Sequence, residues 1–237
     1  MRFRYVDRGK KDTLILVPGW ASDWRIFSLL NLEFNYLFPV QFSPFTFNED
    51  LLRVLEEKNI KKISLLGWSL GGFVCAGFAA QYAGLLKELI LISIREKYTS
   101  GEVAAVRSHL KKNRQACLSW FYGRCFPEGR TALLFKNRLL KDYNEHLSTD
   151  YLLDGLDYLE RARIDSAALR GLKKIRIIHG ERDRIAPISE AVSIRGSLPR
   201  AEFIPIAGAG HIPFWQEGFE QYVVLKANKA ERDERRK

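Results

Sequence analysis

Residues 65–73 read L-L-G-W-S-L-G-G-F. K-I-S-L-L (62–66) just before it has the apolar run of a strand, and Leu70–Tyr82 just after it is rich in Ala and Gly and reads as a helix. Ser69 therefore stands at a strand-to-helix junction, flanked by Gly67 and Gly71 in the pattern G-x-S-x-G. In a turn this tight, side chains at the two flanking positions would collide, and the serine hydroxyl is lifted above the carboxyl edge of the sheet. The amide of Leu70 falls at a helix N-terminus, where N–H groups face an incoming anion. Five residues recur by chance, so the context and the partners elsewhere in the chain decide between a nucleophile and a small residue in a turn.

A serine hydroxyl needs a base, and the base needs an orienting acid. Both candidates follow later strand patterns. I-R-I-I-H-G-E-R-D-R-I-A-P (175–187) puts Asp183 a few residues past a strand. Glu181 is closer to that strand and Asp165 lies in a helical segment, so both fit less well. A-G-A-G-H-I-P-F (207–214) puts His211 in a glycine-rich loop after the strand E-F-I-P-I (202–206). Of the other histidines, His109 and His146 lie in the helical segment and His179 ends a strand. A second amide donor is expected from L-V-P-G-W-A-S-D-W (16–24), which follows the buried strand T-L-I-L-V (13–17). The N–H of Trp20 would join that of Leu70 in facing a developing negative charge. Pro-Gly after a strand is also ordinary turn chemistry; position favours the functional reading.

These elements belong to an alternation of strands and helices, with further strands at Tyr36–Phe42 and 87–94 and an amphipathic helix at Glu49–Lys58. A closing helix is expected around Pro213–Ala227. The class is α/β, a mostly parallel central sheet flanked by helices. Between Arg95 and about Leu172 the strand patterns vanish. Helices of mixed polarity take over, interrupted at Gly123, Pro127–Gly129 and Gly155. The expected organisation is a core of residues 1–94 and 173–237 with a helical cap, 95–172, inserted in it.

The 237 residues are enough for one large domain, and 46% hydrophobic content fits a packed interior. No apolar run approaches the roughly 18 residues a membrane span needs. The N-terminal M-R-F-R-Y-V-D-R-G-K-K-D lacks the apolar centre of a secretory signal, and a cytoplasmic protein without membrane association is expected. Cys75, Cys117 and Cys125 show no metal spacing and suit a reducing compartment, so no metal and no cofactor are expected. The net charge of +10 is concentrated: residues 95–141 hold eleven Lys/Arg against three acids, a net +8, and Lys226–Lys237 adds six basic residues against three acids, a net +3. A charge run is commonly a solvated face; it also suits an acidic partner. No nucleic-acid motif accompanies it, and none is expected to bind.

V-P-G-W, L-L-G-W-S-L-G-G, H-G-E-R-D-x-x-x-P and G-A-G-H-I-P-F together resemble the α/β-hydrolase superfamily, in which the order Ser…Asp…His is expected. More closely, the chain looks like the pimeloyl-[acyl-carrier protein] methyl ester esterases of biotin synthesis. L-D-G-L-D-Y-L-E-R-A-R-I-D-S-A-A-L near Leu153–Leu172 is similar to that family's return from cap to core. The resemblance implies a triad of Ser69, Asp183 and His211, with Trp20 and Leu70 lining the ester carbonyl. It implies substrate contacts in the cap near Trp120, Phe121, Tyr122, Gly123 and Arg124. Pro18 departs from the family's usual His, so the bonding inside that loop must differ, and the N-terminal hairpin is short.

The implied substrate is a methyl ester carried on acyl-carrier protein, an acidic partner. Arg107, Lys111, Lys112, Arg114 and Arg138 are the candidate cations for docking it onto a monomeric enzyme. The triad alone is shared with general carboxylesterases, thioesterases and C–C-bond hydrolases. A non-catalytic binding protein of this fold is the remaining alternative, weakened because all three triad residues are in place.

Overall fold

The computed structural model describes residues 1–127 and 129–224. Seven strands form one sheet: β1 (Phe3–Val6), β2 (Thr13–Val17), β3 (Asn35–Pro39), β4 (Ile63–Trp68), β5 (Leu86–Ile92), β6 (Ile175–Gly180) and β7 (Glu202–Ile206). Their spatial order is β1-β3-β2-β4-β5-β6-β7. Only β1 runs antiparallel, pairing with β3 at one edge; every other pairing is parallel. The central strands are covered on both faces, which explains their unbroken apolar runs: Leu14–Val17 and Leu89–Ile92 are wholly buried. The chain moves outwards from β2 to β3, then crosses back over β2 to start β4. Strand order thus reverses between β2 and β4. In open α/β sheets the crevice at such a switch point, outside the carboxyl ends, is where ligands bind.

Two helices pack on this part of the sheet. Helix α1 (Phe47–Glu57) buries Phe47, Leu51, Val54 and Leu55, a stripe at helical spacing. Asn59, at φ 54°, ends it in the left-handed conformation that asparagine tolerates. Helix α2 (Leu70–Gln81) is buried on nearly every side, so its Gly, Ala, Phe, Val and Cys residues show no polar face. The starts and ends of the strands and of these two helices lie within three residues of the sequence expectation. The closing helix differs more. A 3-10 turn at Pro213–Trp215 comes first, and a separate helix follows at Glu220–Val224; residues 225–227 of the expected helix, like the basic tail, lie outside the described residues.

Between β5 and β6 the chain is helical: α3 (Ser100–Lys112), α4 (Arg114–Cys125), α5 (Arg130–Phe135), α6 (Lys141–His146), α7 (Thr149–Arg161) and α8 (Ser166–Leu169). A π-helical turn, Lys136–Leu140, joins α5 to α6. Thr99 and Glu102 form a reciprocal capping box at the start of α3. Asn113 breaks the path and caps α4 through the Ala116 amide. The two ends of the insertion meet, where Lys97 bridges Arg163 and Ile164 N–H donates to Glu96 O at 2.9 Å. Helix α9 (Ile188–Ser197) and α10 (Glu220–Val224) complete the fold.

A buried charge cluster ties together the strands on the far side of the switch point. Arg176 of β6 is 1% exposed; its Nε lies 3.0 Å from Glu88 of β5 and 3.2 Å from Glu202 of β7. Its guanidinium also donates to the Val223 carbonyl, and Lys174 reaches Glu88 at 3.2 Å. Burial raises the Glu88 carboxyl pKa, opposed by these two cations. Removing the cation of a buried pair leaves an uncompensated charge, at about 3–5 kcal/mol. Arg176→Ala is therefore expected to lower unfolding free energy in urea by about 3 kcal/mol, near the low end because Lys174 remains beside Glu88. An unchanged midpoint would remove this cluster from the causes of stability.

Candidate active site

Ser69 is the first residue after β4, at φ 53° and ψ −116°, a conformation that costs an L-residue of the order of 1–3 kcal/mol. Its N–H donates to Ile92 O of the neighbouring strand at 2.9 Å, which fixes the turn against β5. The flanking glycines are required by contact. A Cβ on Gly67 would lie 2.3 Å from Gly71 O, and one on Gly71 would lie 2.2 Å from Val17 O and 2.6 Å from Pro18 O. The second contact packs the end of β2 and the loop that follows it against the first turn of α2. The amide of Leu70 and the loop carrying Trp20 are thereby brought together.

His211 and Asp183 come from the loops after β7 and β6 and meet Ser69 in one line. Ser69 Oγ lies 2.9 Å from His211 Nε2, and His211 Nδ1 lies 2.7 Å from Asp183 Oδ2. A carboxylate only accepts, so Nδ1 carries the hydrogen and Nε2 is left to accept from the serine hydroxyl. Asp183 Oδ1 accepts the amides of Ile185 and Ala186 at 2.8 and 2.9 Å. Burial pushes the Asp183 carboxyl upwards. The interaction and hydrogen bond with His211, together with the Ala186 amide, outweigh it and hold the group below the usual carboxylate range.

Other residues hold these three in place. Trp68, fully buried, donates its indole N–H to His211 O at 2.7 Å and packs its ring 5.5 Å from the imidazole. His211 N–H in turn donates to Cys125 O, at the end of α4, at 2.8 Å. His179 does not reach Ser69. It sits behind Asp183, with Nε2 2.7 Å from Ala186 O and 3.4 Å from Asp183 Oδ2. Burial lowers its pKa, against the pull of Asp183, so it is a neutral ring.

A sequence model of the family described as alpha/beta hydrolase fold matches residues 13–130. An esterase from Exiguobacterium antarcticum superposes with a TM-score of 0.79 at 18% identity, over 94% of each chain. The chain has the α/β-hydrolase fold. It is 25% identical over 185 residues to an AB hydrolase superfamily protein, YisY, of Bacillus subtilis, covering 73% of this chain and 68% of the relative. It is also 23% identical over 197 residues to a pimeloyl-[acyl-carrier protein] methyl ester esterase of Nitrosomonas europaea, covering 70% and 71%.

A cavity of about 630 Å³ lies between the helical insertion and the sheet and reaches Ser69. Trp20, Val106, Phe121, Leu156 and Leu159 give it apolar walls, and Arg124 and Arg184 add cationic groups. Trp120, 44% exposed, also lines it, beneath the Arg124 guanidinium 5.4 Å from the ring centre. Tyr122 does not. It is 4% exposed and turned away from the cavity, donating to Ala21 O and packed on Phe135 and Tyr143. Successive residues of a helix face different directions, so a W-F-Y run cannot all line one wall. Among the described residues, no group of three or more His, Cys, Asp or Glu is placed to hold a metal ion. No described helix is long and apolar enough to cross a membrane.

The expected docking cations divide. Arg107 is paired with Asp157 and Glu160 of α7 at 2.6 and 2.9 Å, and Arg114 donates to the carbonyls of Leu147 and Asn144. Both serve the cap's own structure. Lys111, Lys112 and Arg138 are exposed. Tyr98 was not singled out by the sequence. It lines the same cavity as Ser69, with the Arg95 guanidinium 4.5 Å from its ring. Burial raises the phenol pKa, so it stays an O–H donor. Its position just past β5, the strand beside Ser69, is the signal that could have found it.

Two glycines of α2 separate contact from propensity. Gly71→Ala forces a methyl group into backbone oxygen and is expected to cost about 1–3 kcal/mol or more. A Cβ on Gly77 meets nothing within 4 Å, so Gly77→Ala is expected to stabilise by about 0.5–1 kcal/mol. Urea denaturation of both variants reads the difference; equal stabilities would contradict the tight elbow.

Proposed function

We propose that the protein is a serine carboxylesterase that hydrolyses the methyl ester of pimeloyl-[acyl-carrier protein] to pimeloyl-[acyl-carrier protein] and methanol, acting in the cytoplasm in biotin synthesis. The observation that carries the esterase chemistry is the line Ser69–His211–Asp183 opening onto a largely apolar cavity. The narrower substrate is supported by the elbow and histidine-loop motifs, the similarity to the Nitrosomonas europaea protein and the exposed cap cations.

Hydrolysis proceeds in two steps. His211 Nε2 takes the Ser69 proton as Oγ attacks the ester carbonyl, and Asp183 stabilises the imidazolium that forms. The amides of Trp20 and Leu70 hold the oxyanion. His211 returns the proton to the leaving methoxide, and methanol departs. A water molecule, deprotonated by His211, then attacks the acyl-enzyme and releases the carboxylate and the free serine. Ser69→Ala is expected to lower kcat by about 10⁶-fold. Asp183→Asn cannot accept from Nδ1–H in the same way and is expected to cost about 10⁴-fold. A Ser69→Ala enzyme retaining a tenth of the rate on a p-nitrophenyl ester would overturn the assignment.

Carrier-bound and free substrates are distinguished by salt. If Lys111, Lys112, Arg138, Arg124 and Arg184 steer an acidic carrier, activity on the carrier-bound ester is expected to fall about tenfold or more between low salt and about 0.5 M. Activity on a small neutral ester stays level. Equal sensitivity would favour a second reading, a carboxylesterase of small free esters. The internal pairing of Arg107 and Arg114, which leaves fewer cations for a partner, is the observation in favour of that reading. Rescue of biotin-free growth in a strain lacking its own pimeloyl ester esterase, with Ser69→Ala as control, tests the pathway directly.

A further inference from the structure

Four consecutive residues after β2 are each bonded to the cap. Trp20 Nε1–H donates to Leu152 O of α7 at 2.8 Å. Ala21 O accepts from the Tyr122 hydroxyl of α4 at 2.5 Å, and Ser22 O accepts from the Tyr151 hydroxyl of α7 at 2.7 Å. Asp23 Oδ1 accepts from Tyr143 of α6 at 3.2 Å. The three phenols are neutral donors, each kept so by burial. Bonds internal to the loop are few, the Ser22 hydroxyl to Gly19 O at 3.0 Å being one.

Ala21 stands at φ 55°. An L-residue held there without surrounding bonds reverts to negative φ, because its Cβ crowds the carbonyl. Such a reversion would rotate the peptides on either side of Ala21 and, with them, the backbone at Trp20. The Ala21 carbonyl is bound by Tyr122 and the next carbonyl by Tyr151, so the bonds that oppose reversion come from the cap.

We propose that Tyr122 and Tyr151 are positioning residues for catalysis: by holding the Ala21 and Ser22 carbonyls they fix the left-handed turn that keeps the Trp20 amide directed at the oxyanion formed on Ser69. The proposal rests on the esterase reading and on Trp20 as a donor. It gives the cap a part in the chemical step besides enclosing substrate. The same bonds account for the orientation of Tyr122, whose hydroxyl points away from the cavity.

The test uses the full chain and p-nitrophenyl butyrate. Loss of one whole oxyanion donor costs about 10²–10³ in kcat; a loosened donor costs part of that. Tyr122→Phe and Tyr151→Phe are each expected to lower kcat by about tenfold, and the double variant by about a hundredfold, with KM within about twofold of wild type. Ala21→Gly, which adopts positive φ freely, is expected to recover part of kcat when added to Tyr122→Phe. A purely structural role would lower the melting temperature and leave kcat unmoved well below it. An active wild type with unmoved kcat in the double variant overturns the proposal, as does a loss carried by KM or left untouched by Ala21→Gly. A wild type without hydrolytic activity would instead overturn the esterase reading beneath it.

Discussion

The contact at Gly71 sets the geometry on which the rest of the site depends. With no Cβ there, the end of β2 closes on the first turn of α2, and Val17 O lies where a methyl group would be. That approach brings the Trp20 loop beside the amide of Leu70, at the point where strand order reverses. It also requires the sharp turn at Ser69, whose strained backbone is held by the bond of its N–H to Ile92 O. A looser packing of β2 on α2 would leave Ser69 on a sheet edge, apart from the Trp20 loop.

The helices between β5 and β6 cover the site and also support it. Cys125 O holds the His211 backbone from one side while Trp68 holds its carbonyl from below. Phe126 and Phe135 pack on Trp215, four residues past the histidine, in an aromatic layer shared by cap and core. Arg124, at the cavity wall, donates to Arg184 O, next in sequence to Asp183. The loops that carry Trp20, Asp183 and His211 are therefore bonded to the cap, and the wall of the cavity is continuous with the scaffold that holds them.

Much of this was legible in the sequence, for a physical reason. Buried parallel strands are continuous apolar runs, and the residues that matter lie just past their ends, so Ser69, Asp183 and His211 could be found by counting from strand patterns. Trp20 follows the same rule, and so does Tyr98, but no motif surrounds Tyr98 to mark it. The cap was less legible. Its helices of mixed polarity do not reveal which face turns inwards, so the sequence does not separate Tyr122, which points to Ala21, from Trp120 and Phe121. Arg107 reads in the sequence as a surface cation because its partners, Asp157 and Glu160, are some 50 residues away. Pairings between helices remote in sequence leave no local pattern.

The most direct measurement on the central claim is the intact mass of the protein after treatment with a fluorophosphonate, followed by mapping of the modified peptide. One phosphonyl group on Ser69, absent from Ser69→Ala, is the predicted result. No adduct, or an adduct on another residue with Ser69 unmodified, would contradict a nucleophilic serine at this turn.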